Sequence, residues 1–209
     1  NPHIQQDASE FVQILIDKLD LGKVIPKTTF NGSFVQVIES IEDENIFKTT
    51  RNEGFSILPI NIAPTLEEGF DKIHDPDYLT DYYAESLGKK IDAKKTEYLG
   101  KELPDHLIIQ LKRFKFEYTT YEKEKINDPV FFTEKIDIKN HCYEPMEDEK
   151  LYTYHLAGVI IHIGSAEGGH YISYVKQRDT GNWYEYNDTI VTPISLDFVM
   201  KNSNVNNQT

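Results

Sequence analysis

Cysteine is nearly missing from this sequence: Cys142 is the only one in 209 residues. A disulfide framework within the chain is therefore excluded, as is a thiolate zinc cage, and a reduced intracellular compartment, cytoplasmic or nuclear, is the expectation. Basic residues are also scarce, with 22 Lys and Arg against 35 Asp and Glu and a net charge of −13. Phosphate backbones need Lys and Arg, so nucleic acid is excluded as a partner. The acidic surface either serves solubility or steers a partner with basic patches. No apolar run is long enough to cross a bilayer, so no membrane contact is expected, and no secretory leader opens the chain. There is no initiator Met, and Asn1-Pro2-His3-Ile4 reads as the middle of something, so the sequence is expected to be a piece of a longer protein. Internal repeats and low-complexity tracts are absent.

Aromatic residues are abundant, with 13 Tyr and 11 Phe, and 39% of residues are hydrophobic, enough for one domain with a real core. Asp7-Ala8-Ser9-Glu10 has capping-box spacing and predicts a helix over 7–19, with Phe11, Ile14, Leu15 and Leu19 as its buried face. Residues 29–37 predict a strand or hairpin around Asn31-Gly32, and 55–62 a second strand with Leu58, Ile60 and Ile62 on one face. Thr65 caps a short helix containing Phe70 and Ile73. Residues 74–97 read as a mobile polar connection with one short helix around Leu79 to Leu87. Leu107 to Leu111 predicts a central strand buried on both faces, Lys115 to Lys125 a hairpin tip, and 139–152 an acidic loop. Three strands follow, at 154–162, 171–176 and 183–186, the last two joined by a turn at 179–182. The expected class is α+β with a mostly antiparallel sheet.

Chemistry concentrates in the last hairpin. His170 follows Gly168-Gly169 at the start of a strand, and Asn187-Asp188 ends the neighbouring strand seventeen residues on. A general-base imidazole needs a partner on its far nitrogen to fix its tautomer, and either Asn187 or Asp188 can be that partner. A merely structural strand-end histidine is the competing reading. A nucleophile is not visible. Cys142 sits among Glu144, Glu147, Asp148 and Glu149, which would raise its pKa, and no helix start follows it. His155 and His162 fall in apolar strands without a carboxylate cluster, which suits core or cleft lining better than metal, so no metal and no cofactor are expected.

Four segments in order resemble the ubiquitin-specific protease family. Gln5-Gln6-Asp7-Ala8-Ser9-Glu10-Phe11 is similar to its Gln-Asp box, and Leu103 to Phe114 to its Leu-Lys-Arg-Phe strand. Tyr154 to His162 with Gly169-His170-Tyr171, and then Trp183 to Asp188 with Val191, resemble its histidine box. The stretch Glu53-Gly54-Phe55 with Leu58, Ile60 and Leu66 resembles the region between the first two boxes. The resemblance covers residue 4 to about 193. It implies a papain-like cysteine peptidase fold of thumb, palm and fingers, truncated at the N-terminus. It also implies hydrolysis of the bond after ubiquitin's C-terminal glycine, with ubiquitin and ubiquitinated proteins as partners.

By position, His170 would be the general base, Asn187 the third member and Asp188 an assisting neighbour. Asp7 and Glu10 would grip the arginine-bearing tail of ubiquitin. Phe114, His162, Gly169 and Tyr171 would line or border the narrow channel for its two terminal glycines, gated by the loop Ile163 to Gly169. Two departures matter. The family's cysteine box lies upstream of the Gln-Asp box, so the nucleophile is expected outside these residues and the chain alone is expected to be inactive. Residues 30–100 lack the two Cys-x-x-Cys pairs that many members carry, and Lys125-Ile126-Asn127-Asp128 before Phe131 resembles zinc-free members. The implied partition is a thumb remnant at 1–27, palm and short zinc-free fingers at 28–200, and a tail at 201–209, with a non-catalytic ubiquitin-binding module as the alternative function.

Overall fold

The computed structural model describes residues 7–117, 119, 121–147 and 149–204. Residues 1–6 of the expected thumb remnant (with Gln5 and Gln6), Tyr118 and Thr120 of the hairpin tip, Asp148 of the acidic loop and 205–209 of the tail lie outside the described residues. Helix α1 spans Ala8–Leu21. It starts where it does because Asp7 Oδ1 accepts the N–H groups of Ser9 (2.8 Å) and Glu10 (3.0 Å). Its expected buried face is corrected: Phe11, Ile14 and Leu15 are 61%, 47% and 43% exposed, while Ile16 is 2% exposed. Val12, Ile16 and Leu19, spaced four and three apart, turn inward. The helix carries two adjacent apolar stripes, and periodicity alone does not choose between them.

Strands β1 (Gly32–Ser40), β2 (Lys48–Phe55), β4 (Asp77–Ala84) and β5 (Lys89–Leu99) form one antiparallel sheet in the order β2-β1-β5-β4. Between β2 and β4 lie the short strand β3 (Leu58–Ile60) and helix α2 (Leu66–Asp71), the latter capped by Thr65 Oγ1 on the Glu68 N–H at 3.1 Å. The mobile connection expected at 74–97 is overturned, since that segment is the β4–β5 hairpin. A bulge between Leu79 and Tyr82, with Asp81 at φ 56°, breaks the two-residue period. The resulting spacing of three between inward residues imitates a helix. Ile38, Phe47, Ala84 and Ala93 pack this sheet together with Leu79, Tyr82 and Ile91. No hairpin forms at Asn31-Gly32. Asn31 instead donates to Asp20 Oδ2 (2.8 Å) and accepts from Ser56 Oγ (2.6 Å), tying α1 to the sheet, and β1 then runs on from Gly32.

Strand β6 is only Ile109–Leu111, shorter than expected and half-buried instead of buried on both faces. It pairs in parallel with β3, and Gln110 turns outward toward α1. Strands β7 (Phe114–Glu117) and β8 (Glu122–Lys125) form the expected hairpin, and β9 (Lys135–Asp137) pairs with β10 (Thr153–His155). Leu58, Ile60, Phe70, Leu99, Ile138, Cys142 and Tyr152 form the central core among these elements. The last sheet runs in order β11 (Gly158–Gly164), β12 (Gly169–Lys176), β13 (Trp183–Asn187) and β14 (Ile190–Ile194). Helix α3 (Leu196–Asn204) covers it, with Val199 buried among Ile172, Tyr174 and Trp183. Apart from β3 with β6, the strand pairs among the described residues are antiparallel, in keeping with α+β.

A histidine pair joins α2 to the core. His74 Nδ1 donates to the Glu97 carbonyl at 2.8 Å, leaving Nε2 to accept from His141 Nδ1 at 3.2 Å. Burial, and then the neighbouring His74, push the pKa of His141 down, against a weaker pull from Asp71 and Asp137. Unfolded, His141 would titrate near the ordinary value of about 6.5. A histidine depressed on folding contributes stability that is present above that value and is lost as the pH falls toward its folded one. The urea midpoint is therefore expected to decline from pH 7 to pH 5, and His141→Gln to flatten that decline. An equal slope in wild type and variant would refute the assignment.

Candidate active site

The β11–β12 hairpin pairs His162 with Tyr171, Ile163 with His170 and Gly164 with Gly169, and Ser165 N–H closes its loop on the Gly168 carbonyl at 2.9 Å. Glycine is required at its neck. A Cβ on Gly169 would lie 2.1 Å from the Ile163 carbonyl oxygen and 2.6 Å from His162 Nε2, and Gly164 has φ +130°. His170 thus sits one residue into β12. Continuing the β12–β13 register from Ser173 opposite Tyr186 puts Asn187 opposite Ile172, diagonal to His170 on the same face. The side chains meet there: His170 Nε2 donates to Asn187 Oδ1 at 2.7 Å. With Nε2 so committed, Nδ1 of the neutral ring carries the free lone pair. Asp188 occupies the tight β13–β14 turn at φ 53°, exposed, and the bond of His170 goes to Asn187 instead. Of the two partners left open by the sequence, the geometry selects Asn187.

Tyr171 and His162 point to the other face by strand alternation. Their rings lie 4.7 Å apart, and Phe114 meets His162 edge-on at 6.0 Å. These three line a cleft of about 1210 Å³ together with Asp7, Ser9, Gln110 and Lys125. His170 and Asn187 are not among its lining residues. Burial, then the charge of Lys125, push the pKa of His162 down against a pull from Asp7, and His162 Nδ1 is buried without a hydrogen-bond partner among the described residues. Burial pushes Asp7 upward, but the Ser9 hydroxyl and the N–H groups of Glu10 and Ser9 outweigh it and hold the carboxyl below its ordinary range. These bonds all end on Oδ1, and Oδ2 takes no part in them. Tyr171 Oη accepts the Ala8 N–H at 3.4 Å, which brings the helix start against the hairpin. Glu10 is exposed on the first turn.

Ser9, Gln110 and Lys125 belong to this region and were not singled out in the sequence. Gln110 Nε2 donates to Ser9 Oγ at 2.7 Å, linking β6 to the helix cap. The outward polar position in an otherwise apolar β6 was the available signal. Cys142 is not among the residues that line the cleft. Its thiol is buried in the central core and donates to the Ile138 carbonyl at 3.3 Å, and burial, then Asp137, push its pKa up to about 12. Among the described residues no group of three or more His, Cys, Asp or Glu is arranged to hold a metal, and no helix is long and apolar enough to cross a membrane.

The sequence model of the ubiquitin carboxyl-terminal hydrolase family matches residues 1–207. The chain belongs to that family. Ubiquitin carboxyl-terminal hydrolase 15 of Schizosaccharomyces pombe is 30% identical over 210 residues, which cover 96% of this chain and 18% of the relative. Ubiquitin carboxyl-terminal hydrolase 8 of Saccharomyces cerevisiae is 30% identical over 226 residues, covering 94% of this chain and 47% of that protein. A solved structure of the SAGA Ubp8/Sgf11/Sus1/Sgf73 DUB module bound to ubiquitin aldehyde matches with a TM-score of 0.84 and 29% identity, over 97% of this chain and 48% of the matched one. The expected papain-like α+β fold therefore stands. The chain spans about half the length of the budding yeast relative and about a fifth of the fission yeast one.

Proposed function

We propose that residues 1–209 form the histidine-bearing part of a cysteine-type deubiquitinase catalytic domain, with residues 1–27 a thumb remnant and 28–200 palm and zinc-free fingers. The observation that carries this reading is the 2.7 Å bond from His170 Nε2 to Asn187 Oδ1. It leaves Nδ1 to take a proton from a thiol. Cys142, the only cysteine among the 209 residues, is buried and held protonated. The thiol therefore comes from residues other than these.

The steps follow from that geometry. The proton of the thiol passes to His170 Nδ1, and the thiolate attacks the carbonyl carbon of ubiquitin's last glycine. The C–N bond breaks, and the leaving amine takes the proton from His170. Water then loses a proton to His170 and attacks the thioester. The C–S bond breaks, His170 returns the proton to the sulfur, and the released carboxyl group ionises to the ubiquitin carboxylate by losing its proton to solvent. Asn187 holds the ring throughout. Asp7, through Oδ2, and Glu10 take the basic residues of the ubiquitin tail, while Phe114, His162 and Tyr171 flank its glycines. Asp188 shapes the turn beside Asn187. The net charge of −13 favours a partner with basic patches.

The test is binding of ubiquitin to this chain, with intact ubiquitin compared against ubiquitin lacking its C-terminal diglycine and the preceding arginine. Tail-dependent binding is expected, weakened by Asp7→Asn. Equal affinity for both forms, or none for either, would remove the reading.

A further inference from the structure

Strand β11 is an edge strand: it pairs with β12, and among the described residues no strand pairs with its other side. Carbonyls of alternate residues on such an edge face outward without a partner. Two of them, those of His162 and Gly164, accept hydrogen bonds from one ammonium, Lys125 Nζ, at 2.9 and 2.8 Å. Lys125 thus supplies what the N–H groups of a further strand would supply. It is the last residue of β8 and pairs with Phe114, whose ring meets His162. The base of its own hairpin is fixed by Arg113, which accepts the Ile126 N–H at 2.6 Å and donates from Nη1 to the carbonyls of Ile126 (3.1 Å) and Asp128 (2.8 Å). One cation therefore joins two hairpins at the point where β11 turns. The bonded carbonyls bracket Ile163, the residue paired with His170.

We propose that Lys125 is a positioning residue: by tying the His162 and Gly164 carbonyls to the β7–β8 hairpin, it holds the turn of the β11–β12 hairpin and keeps His170 in register with Asn187. The proposal deepens the reading of His170 as general base and rests on it. Burial and the nearby Arg113 push the pKa of Lys125 down, so the site disfavours this cation, and the two carbonyl bonds offset that cost.

The test compares Lys125→Met, which keeps the stem and loses the donor, with Lys125→Arg, whose fork can reach both carbonyls. In the 209-residue chain, Lys125→Met is expected to speed amide exchange at 163–170 about tenfold, with exchange in the β2-β1-β5-β4 sheet unchanged, as for a local opening. The downfield proton resonance of the His170–Asn187 bond is expected to weaken, and Lys125→Arg to restore both. In the full-length product of the gene that encodes this chain, kcat on a ubiquitin C-terminal reporter is expected to fall about tenfold with KM within about twofold. If Lys125→Met does not fold, Lys125→Gln takes its place. Unchanged exchange and resonance would overturn the proposal, and so would faster exchange spread evenly over the chain. A wild-type protein inactive toward ubiquitin would instead overturn the proposed function, and the exchange and resonance results would still decide on Lys125.

Discussion

Replacing His170 by alanine is expected to lower kcat/KM of the full-length protein on ubiquitin conjugates by about 10³- to 10⁴-fold, the range of a lost general acid–base group. Ubiquitin affinity should stay within about threefold, because a general base would act on the transition state and not on the bound ground state. The direction follows from the 2.7 Å bond to Asn187, which commits Nε2 and leaves Nδ1 as the only ring nitrogen to exchange a proton. Asn187→Ala should cause a smaller loss, since the ring keeps its chemistry but not its orientation. A steady-state comparison with parallel binding measurements checks both. A His170→Ala variant that binds poorly and turns over normally per bound ubiquitin would place the histidine in recognition instead.

Gly169→Val is expected to be the most damaging substitution away from the reacting groups. A Cβ there would stand 2.1 Å from the Ile163 carbonyl oxygen and 2.6 and 3.0 Å from His162 Nε2 and Cε1. The first of these is backbone and cannot step aside like a flexible side chain, so the hairpin must splay. Overpacking of this kind costs about 1–3 kcal/mol. The displaced strand start carries His170 as its second residue, and for a general base at that position a shift of about 1 Å would cost about 10²-fold in rate. Urea unfolding and kcat of the same variant measure the two parts. A variant with wild-type rate would show that the neck of the hairpin tolerates bulk and that the glycine has no bearing on the site.

The parts of the site held by local pattern were legible in the sequence. Asp7 declares a helix start, and Gly169-His170-Tyr171 with Trp183 to Asn187 alternate cleanly, so the hairpins and their facing residues could be read without coordinates. The choice between Asn187 and Asp188 could not. It depends on a two-residue turn at Asp188 that leaves Asn187 as the last paired residue of β13. The β4–β5 hairpin was hidden by the bulge at Asp81, and the inward stripe of α1 by a second apolar stripe beside it. Helix α3 is only nine residues long, too short for the spacing of Leu196, Val199 and Met200 to establish a helical period. The sequence places Lys125 at the end of a hairpin tip but not its role, which arises from the approach of two hairpins 37 residues apart in sequence. Local propensity carries no signal for such a contact.

The most direct measurement is reaction of the full-length protein, and of the 209-residue chain, with ubiquitin bearing a C-terminal electrophile, followed by mapping of the modified residue. The account expects one adduct in the full-length protein, on a cysteine outside these 209 residues, slowed by His170→Ala, and none in the chain alone, whose Cys142 thiol is buried with its pKa pushed up to about 12. An adduct on Cys142, or a full-length protein that binds ubiquitin yet captures no electrophile, would contradict it.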